Sequence, residues 1–485
     1  RSLKNIIEQD EFTLNSSEEI MAKLTFHGAI EGVTGSCYLL ETKQSTILLD
    51  CGMFQGGRKE DENNTKDLPF RVKDLDAVVL SHAHLDHSGR LPKLVQDGYK
   101  AQIYMTDPTV DLLDVLLKDA ANLQKRDVEW ENKRRRRAGK DELEPIYTLE
   151  DVEQTLTQCD GIGYAHRIPI TPDVDICFQD AGHILGSSIV QVFINENGQE
   201  KKLVFSGDLG NSYAALLQDP KVVKEADILL LESTYGDRNH RSMDATLEEF
   251  EAIVDESTAN GGNILIPSFA VGRTQEILFR LGELYQKGKL RHHEIYLDSP
   301  MAIAVTEIYH RYQNVFNKED KKAMTKGSDK SLHNFLPNLH FSISTDESME
   351  LNKVEKGAII IAGSGMCNGG RIRHHLKHNL WRHNAHLLIV GYQAIGTPGR
   401  TLVDGASVFK VAGEEVVVRA KIHTLGGFSA HASQSQLLDW INNFEKHPKL
   451  YLVHGEAETK IKFKAFLAEK GWAAEIPELN ESIHF

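Results

Sequence analysis

The sequence predicts an α/β protein in which a β-rich, two-layered domain is interrupted by a parallel α/β unit and resumed after it. Three observations carry this. Residues 23 to 106 read as short apolar segments between Gly-rich turns, residues 244 to 395 alternate helical and strand patterns, and strand patterns return after 405.

Taken in chain order, LTFHGAI, SCYLLET, STILLD, DAVVLSH and AQIYMT each show the alternation or the short apolar run of a strand. From about 108 to 137 the spacing turns helical and ends in ENKRRRRAGK; a second helix is expected at 148 to 157. The arginine run reads as the solvated end of the long helix, the ordinary role of a charge run, ahead of a phosphate track. Strands follow at 174–179, 188–194, 201–206 and 227–232. Then TLEEFEAIVDEST, NILIP, RTQEILFRLGELYQKG, EIYLD, GAIIIAG and AHLLIVG alternate helix with wholly apolar strand, the pattern of a parallel sheet covered on both faces. Beyond 405, SVFKV, EEVVVRAKIHTL and LYLVHGE predict strands, with a helix near 433–443 and a last one after them. Residues 1–20, ahead of Met21, are polar and read as a leader outside the fold.

Composition bounds the function. A chain of 485 residues exceeds one ordinary core and predicts two or three domains. The sequence has no apolar run long enough to span a bilayer, and RSLKNIIEQD lacks a signal-peptide core, so a cytoplasmic protein without membrane contact is expected. Five scattered cysteines without a C-x-x-C pair exclude a disulfide framework and a thiolate zinc site. Any metal must therefore be held by histidine and carboxylate. A net charge of -15 excludes a basic coat but leaves room for a local positive groove.

The densest chemistry lies in SHAHLDHSGRLP, residues 81 to 92, directly after an apolar strand. His82 and His84, two apart in an extended segment, share a face and can grip one ion; Asp86 and His87, past the bend, can address a second. Lone histidines are usually structural, yet four ligand-type residues in six positions argue for metal. The same arrangement, a ligand-type residue in a loop just after an apolar strand, recurs at Asp50, His183, Asp208, His431 and His454. Each alone is an ordinary turn residue. Together they describe strand ends converging on one edge of a sheet sandwich.

In order, LLD, HAHLDH, GHILGS and SGD resemble the metallo-β-lactamase fold, and ESTYGDR, an inserted α/β block and GGFSAHA resemble its β-CASP nucleic-acid-processing branch. PSFAVGRTQE, SPMA, GSGMCNGGR and GYQAIGTPGRTLVDG are similar to the bacterial and archaeal ribonucleases related to the pre-mRNA 3′-end cleavage endonuclease. The resemblance implies an αββα sandwich from 21–232 and 405–485, with a β-CASP domain inserted at 233–404. It implies one zinc on His82, His84 and His183, a second on Asp86, His87 and His431, and Asp208 bridging both. Asp50 is then expected behind the histidines, orienting them, Glu232 supporting a ligand, and His454 in a supporting or proton-relay role. Thr401 stands where the eukaryotic members have a histidine, which leaves the proton donor to the leaving group open.

The expected activity is endonucleolytic hydrolysis of single-stranded RNA by a hydroxide shared between two Zn2+. Its catalytic set is Asp86, Asp208, His431, Glu232 and His454, and the chain can also form a homo-oligomer. Ser364, in a Gly-rich turn between a buried strand and a helix, Ser268, Arg273 and Arg400 are the candidates for substrate phosphate. His374 and His378 share a helical face but lack carboxylates and are expected not to bind metal. Two alternatives share the core motif. A small-molecule metallo-hydrolase would not need the inserted block, and a non-catalytic RNA-binding member would not need every ligand to be present.

Overall fold

The computed structural model describes residues 22–56, 62–196, 198–290, 293–324, 332–394, 396–411 and 413–485. The polar segment 1–20 lies outside them. The first sheet contains β1 (Lys23–Gly28), β2 (Cys37–Glu41), β3 (Thr46–Leu49), β4 (Ala77–Val79), β5 (Ile103–Thr106) and β6 (Cys159–Ile162) in sequence order. The second contains β7 (Arg167–Pro169), β8 (Val174–Asp180), β9 (Ser188–Glu196), β10 (Gln199–Phe205) and β11 (Ile228–Glu232).

After β11 the chain builds a third sheet from β12 (Ile264–Pro267), β13 (Glu294–Leu297), β14 (Leu339–Phe341), β15 (Ala358–Ala362) and β16 (His386–Ile389). Its burial explains its topology: β12, β15 and β16 are buried at every residue, which only a parallel sheet with helices on both faces allows. A hairpin, β17 (Val408–Val411) with β18 (Glu414–Val417), follows, then β19 (Lys421–Thr424), β20 (Lys449–Val453), β21 (Ala474–Glu475) and β22 (Ser482–His484).

The closing strands stitch the two halves together. β20 pairs parallel with β11, and β22 pairs antiparallel with β1, so the end of the chain completes both sheets of the sandwich. β19 differs from expectation. It lies past the expected boundary at 404 yet pairs parallel with β16 as the edge of the third sheet, order β14-β13-β15-β12-β16-β19. Strand alternation in KIHT is legible from sequence, but its partner is not.

One apolar cluster fills the space between the two seven-stranded sheets, with Phe26, Tyr38, Leu49, Phe178, Val192, Phe205 and Leu230 at its centre. Each such side chain contributes roughly 1.5–3 kcal/mol on leaving water. A second cluster lies under the helix Asp107–Arg137, and a third under the helices Gln434–Ile441 and Ala457–Glu469. The result is helix, sheet, sheet, helix. The inserted sheet has its own clusters on its two faces.

Candidate metal centre

Five strand ends deliver the site. Beyond β4 the chain places His82 and His84 in extended backbone, then turns through the four-residue helix Leu85–Ser88, which carries Asp86 and His87. His183 follows β8, Asp208 follows β10, Glu232 ends β11 and His454 follows β20. The turns are tight. A methyl group on Gly52 would sit 1.7 Å from the Asp86 carbonyl oxygen, so only glycine admits this approach.

Two sets of ligand atoms result, and a third grouping of Asp208, Glu232 and His454 overlaps them. His82, His84, His183 and Asp208 bring one atom each within 4.8 Å of one another, and so do Asp86, His87 and His454. His84 Nδ1 lies 3.1 Å from both His82 Nε2 and His183 Nε2, and Asp208 Oδ2 lies 3.6 Å and 3.5 Å from the latter two. In the second set His87 Nε2 is 3.1 Å from His454 Nε2 and 3.9 Å from Asp86 Oδ2, while Asp208 Oδ1 is 3.4 Å from His87 Nε2.

These spacings fit a metal. Four ligands about 2.0–2.2 Å from a tetrahedral zinc stand about 3.3 Å apart. Asp208 Oδ1 is buried without a hydrogen-bond partner, an arrangement that costs stability unless a cation faces it. Burial, the largest influence, holds His82 and His183 well below the ordinary imidazole range and His84 below it, leaving lone pairs free. Burial would push the Asp208 carboxyl up, but the His454, His87 and His82 rings outweigh it and hold it well below the usual range.

The supporting contacts select which nitrogen is bare. Asp50 Oδ2 accepts from His87 Nδ1 at 2.7 Å and its carboxylate accepts from the Ser81 amide and hydroxyl, while the Ala430 carbonyl accepts from His183 Nδ1 at 3.1 Å. Each bond leaves Nε2 pointing into the cluster.

The second set differs from the sequence expectation. His454, not His431, stands with Asp86 and His87, because parallel pairing of β20 with β11 carries the HGE turn beside the HAHLDH loop. His431 follows the turn Gly426–Phe428, and its Nδ1 lies 3.4 Å from Glu232 Oε1 and 3.8 Å from Asp208 Oδ2. Burial would lower its pKa, but Glu232 outweighs it through charge and hydrogen bond and raises it to about 9.

Neighbours not singled out from sequence hold this geometry: Thr234 Oγ1 lies 3.1 Å from His454 Nδ1, and His240 Nε2 donates to the His431 carbonyl at 2.9 Å. Thr234 sits inside the ESTYG motif, whereas nothing in the sequence marked His240.

The phosphate candidates stand on the inserted sheet, outside both sets. The Ser268 amide donates to the Ala362 carbonyl, one residue before the turn that carries Ser364. Arg273 is buried and ion-paired with Glu276, and Arg400 pairs with Asp404 at 2.8 Å, so neither guanidinium is uncommitted. His374 and His378 belong to no ligand grouping among the described residues; their neighbour His375 donates from Nε2 to buried Asp298 at 2.6 Å. Glu256, His386 and His423 also cluster, but hydrogen bonding accounts for them. Asn260 Oδ1 accepts from the Gly262 amide, so Asn260 Nδ2 donates to His386 Nε2, and His386 Nδ1 then donates to His423 Nε2.

An αββα sandwich whose strand ends gather histidines around a shared carboxylate defines a metal-dependent hydrolase. Family models match residues 30–185 as metallo-beta-lactamase superfamily, 274–402 as Beta-Casp domain and 415–477 as Zn-dependent metallo-hydrolase RNA specificity domain. The chain belongs to the β-CASP branch of the metallo-β-lactamase superfamily. It is 40% identical over 458 residues to a ribonuclease of Thermus thermophilus, covering 94% of this chain and 98% of the relative. An RNase J-like protein of Methanocaldococcus jannaschii is 32% identical, with 91% and 94% covered. The transcription termination factor FttA of the same organism is 31% identical, with 91% and 68% covered. Among solved structures, a protein of unknown function from Enterococcus faecalis shares the fold over 96% of this chain and all of its own, at a TM-score of 0.53 and 14% identity.

Proposed function

We propose that the protein is a ribonuclease that hydrolyses internal phosphodiester bonds of single-stranded RNA with two zinc ions. The observation that carries the two-metal reading is Asp208, whose buried carboxylate offers Oδ2 to one ligand set and the unpartnered Oδ1 to the other. RNA as the substrate is supported by the relatives named as ribonucleases and by the RNA-specificity description of the 415–477 match.

In this reading His82, His84 and His183 would hold one ion, Asp86, His87 and His454 the other, and Asp208 would serve both. Ions held there would supply an activated water and charge neutralisation for a phosphodiester. The chain does the rest. Asp50 and the Ala430 carbonyl fix ring tautomers; Glu232 holds His431 Nδ1, so that His431 Nε2 gives its proton to the leaving oxygen. Ser268 and Ser364 offer hydroxyls to flanking phosphates, while the Arg273 and Arg400 guanidiniums donate to phosphate oxygens only on giving up Glu276 and Asp404.

The test uses labelled single-stranded RNA in linear and circular form, with and without chelator. Chelator-sensitive cleavage of both forms is expected, since a circle has no end to start from. Asp208→Ala and His84→Ala are expected to abolish it while keeping the far-ultraviolet circular dichroism of the parent. Wild-type rates in either variant refute the site, and an intact circle refutes the endonuclease.

A further inference from the structure

The C-terminal edge of the inserted sheet carries two exposed aromatic side chains that the hydrolytic chemistry does not use. Phe269 follows β12 and is 43% exposed; Tyr392 follows β16 and is 54% exposed. In a parallel sheet this edge is where ligands bind. A single exposed aromatic residue is ordinary. The surroundings of Phe269 are not.

β12 runs between β15 and β16, so Phe269 leaves the central strand of the three. Glycines of both neighbouring strand ends meet its ring: a methyl group on Gly365 would lie 2.7 Å from ring carbons, and one on Gly391 would lie 3.7 Å away. The ring therefore rests on bare backbone, and its exposed side is left to solvent. Buried Gln393 ties the two glycine segments together, donating to the Gly365 carbonyl at 2.9 Å and the Gly391 carbonyl at 3.3 Å. Thr274 Oγ1 lies 2.6 Å from the Phe269 carbonyl oxygen and 3.0 Å from Ser268 Oγ, which fixes the backbone beneath the ring. This is a flat, preorganised aromatic face.

Its position couples it to the metal centre. Gly272, three residues past Phe269, packs against Ile184, the residue after His183: a methyl group on it would lie 3.0 Å from the Ile184 side chain. An RNA strand crossing from Ser268 and Ser364 to the ions thus passes this edge. We infer that Phe269, with Tyr392 beside it, is a stacking platform for one nucleobase of a single-stranded RNA, seated next to the scissile phosphate. The inference rests on the ribonuclease reading and adds a base contact to it.

Steady-state cleavage of a short single-stranded RNA by wild type, Phe269→Leu and Phe269→Trp tests it, alongside hydrolysis of bis(p-nitrophenyl) phosphate, which has no base. Loss of one stacked base predicts a KM for RNA raised about 5- to 150-fold in Phe269→Leu, with kcat changed far less. The small diester is expected to be hydrolysed as by wild type, which also reports an intact fold, and Phe269→Trp is expected to restore the RNA KM. An RNA with an abasic ribose at the stacked position should cost wild type the same factor and Phe269→Leu nothing more. An unchanged KM in Phe269→Leu, or an equal loss on the small diester, overturns the platform and leaves the ribonuclease standing. Wild-type protein that hydrolyses the small diester but not RNA overturns both.

Discussion

At the scale of single residues, His454 and His431 exchange the places that sequence reasoning gives them, and metal content separates the two. His454→Ala is expected to lower bound zinc from two equivalents toward one, since it removes a side chain packed 3.1 Å from His87 Nε2. His431→Ala is expected to retain both and to lose about 10²- to 10⁴-fold in kcat, the range for removing a proton donor. Elemental analysis of the two purified variants decides it; loss of zinc in His431→Ala alone would restore the sequence-based assignment. The clustering of His82, His84, Asp86 and His87 was legible because these residues lie within six positions after one strand. The choice between His431 and His454 was not, because both follow short turns in ligand-like loops, and only the pairing of β20 with β11 says which ring arrives beside His87.

At the scale of elements, the inserted α/β unit is bound to the sandwich by specific contacts as well as by its chain connections. The helix Pro300–Arg311 presents Tyr309, whose hydroxyl oxygen accepts from the Leu185 amide at 3.0 Å, two residues from His183. A methyl group on Gly272 would lie 3.0 Å from Ile184, so the start of the helix Arg273–Gln286 presses on the same loop. Tyr309→Phe leaves a buried amide unsatisfied, which costs about 1–3 kcal/mol. We expect a lower thermal midpoint and, because this loop carries His183, weaker zinc retention in a competition with a chromophoric chelator. Unchanged retention with the same loss of stability would assign the bond to folding alone. Strands such as AIIIA and LLI of β16 were legible as buried because those runs are apolar throughout. The place of β19 was not legible because KIHT, with one exposed and one half-buried residue on each face, carries no mark of which sheet edge it joins.

At the scale of the molecule, 70 acidic residues outweigh 55 basic ones, so RNA approaches a surface that repels it overall. Two cationic side chains, Arg273 and Arg400, are the phosphate candidates, and two such contacts on a single strand give a slope of about -1.4 in log affinity against log salt. Measuring KM across a salt series checks this, and Arg400→Ala should make the slope shallower by about 0.7. A much steeper slope would point to a further basic track, with Arg134 to Arg137 at the end of the long helix as its first candidate.

The late arrival of His454 has a consequence for biosynthesis. The four residues of the first ligand set all precede position 209, whereas the second set needs β20, Lys449–Val453, to pair with β11. A chain emerging from the ribosome can therefore bring the first ligand set together early, whereas the second waits for β20. The two ligand sets thus cannot face each other across Asp208 until β20 has been made.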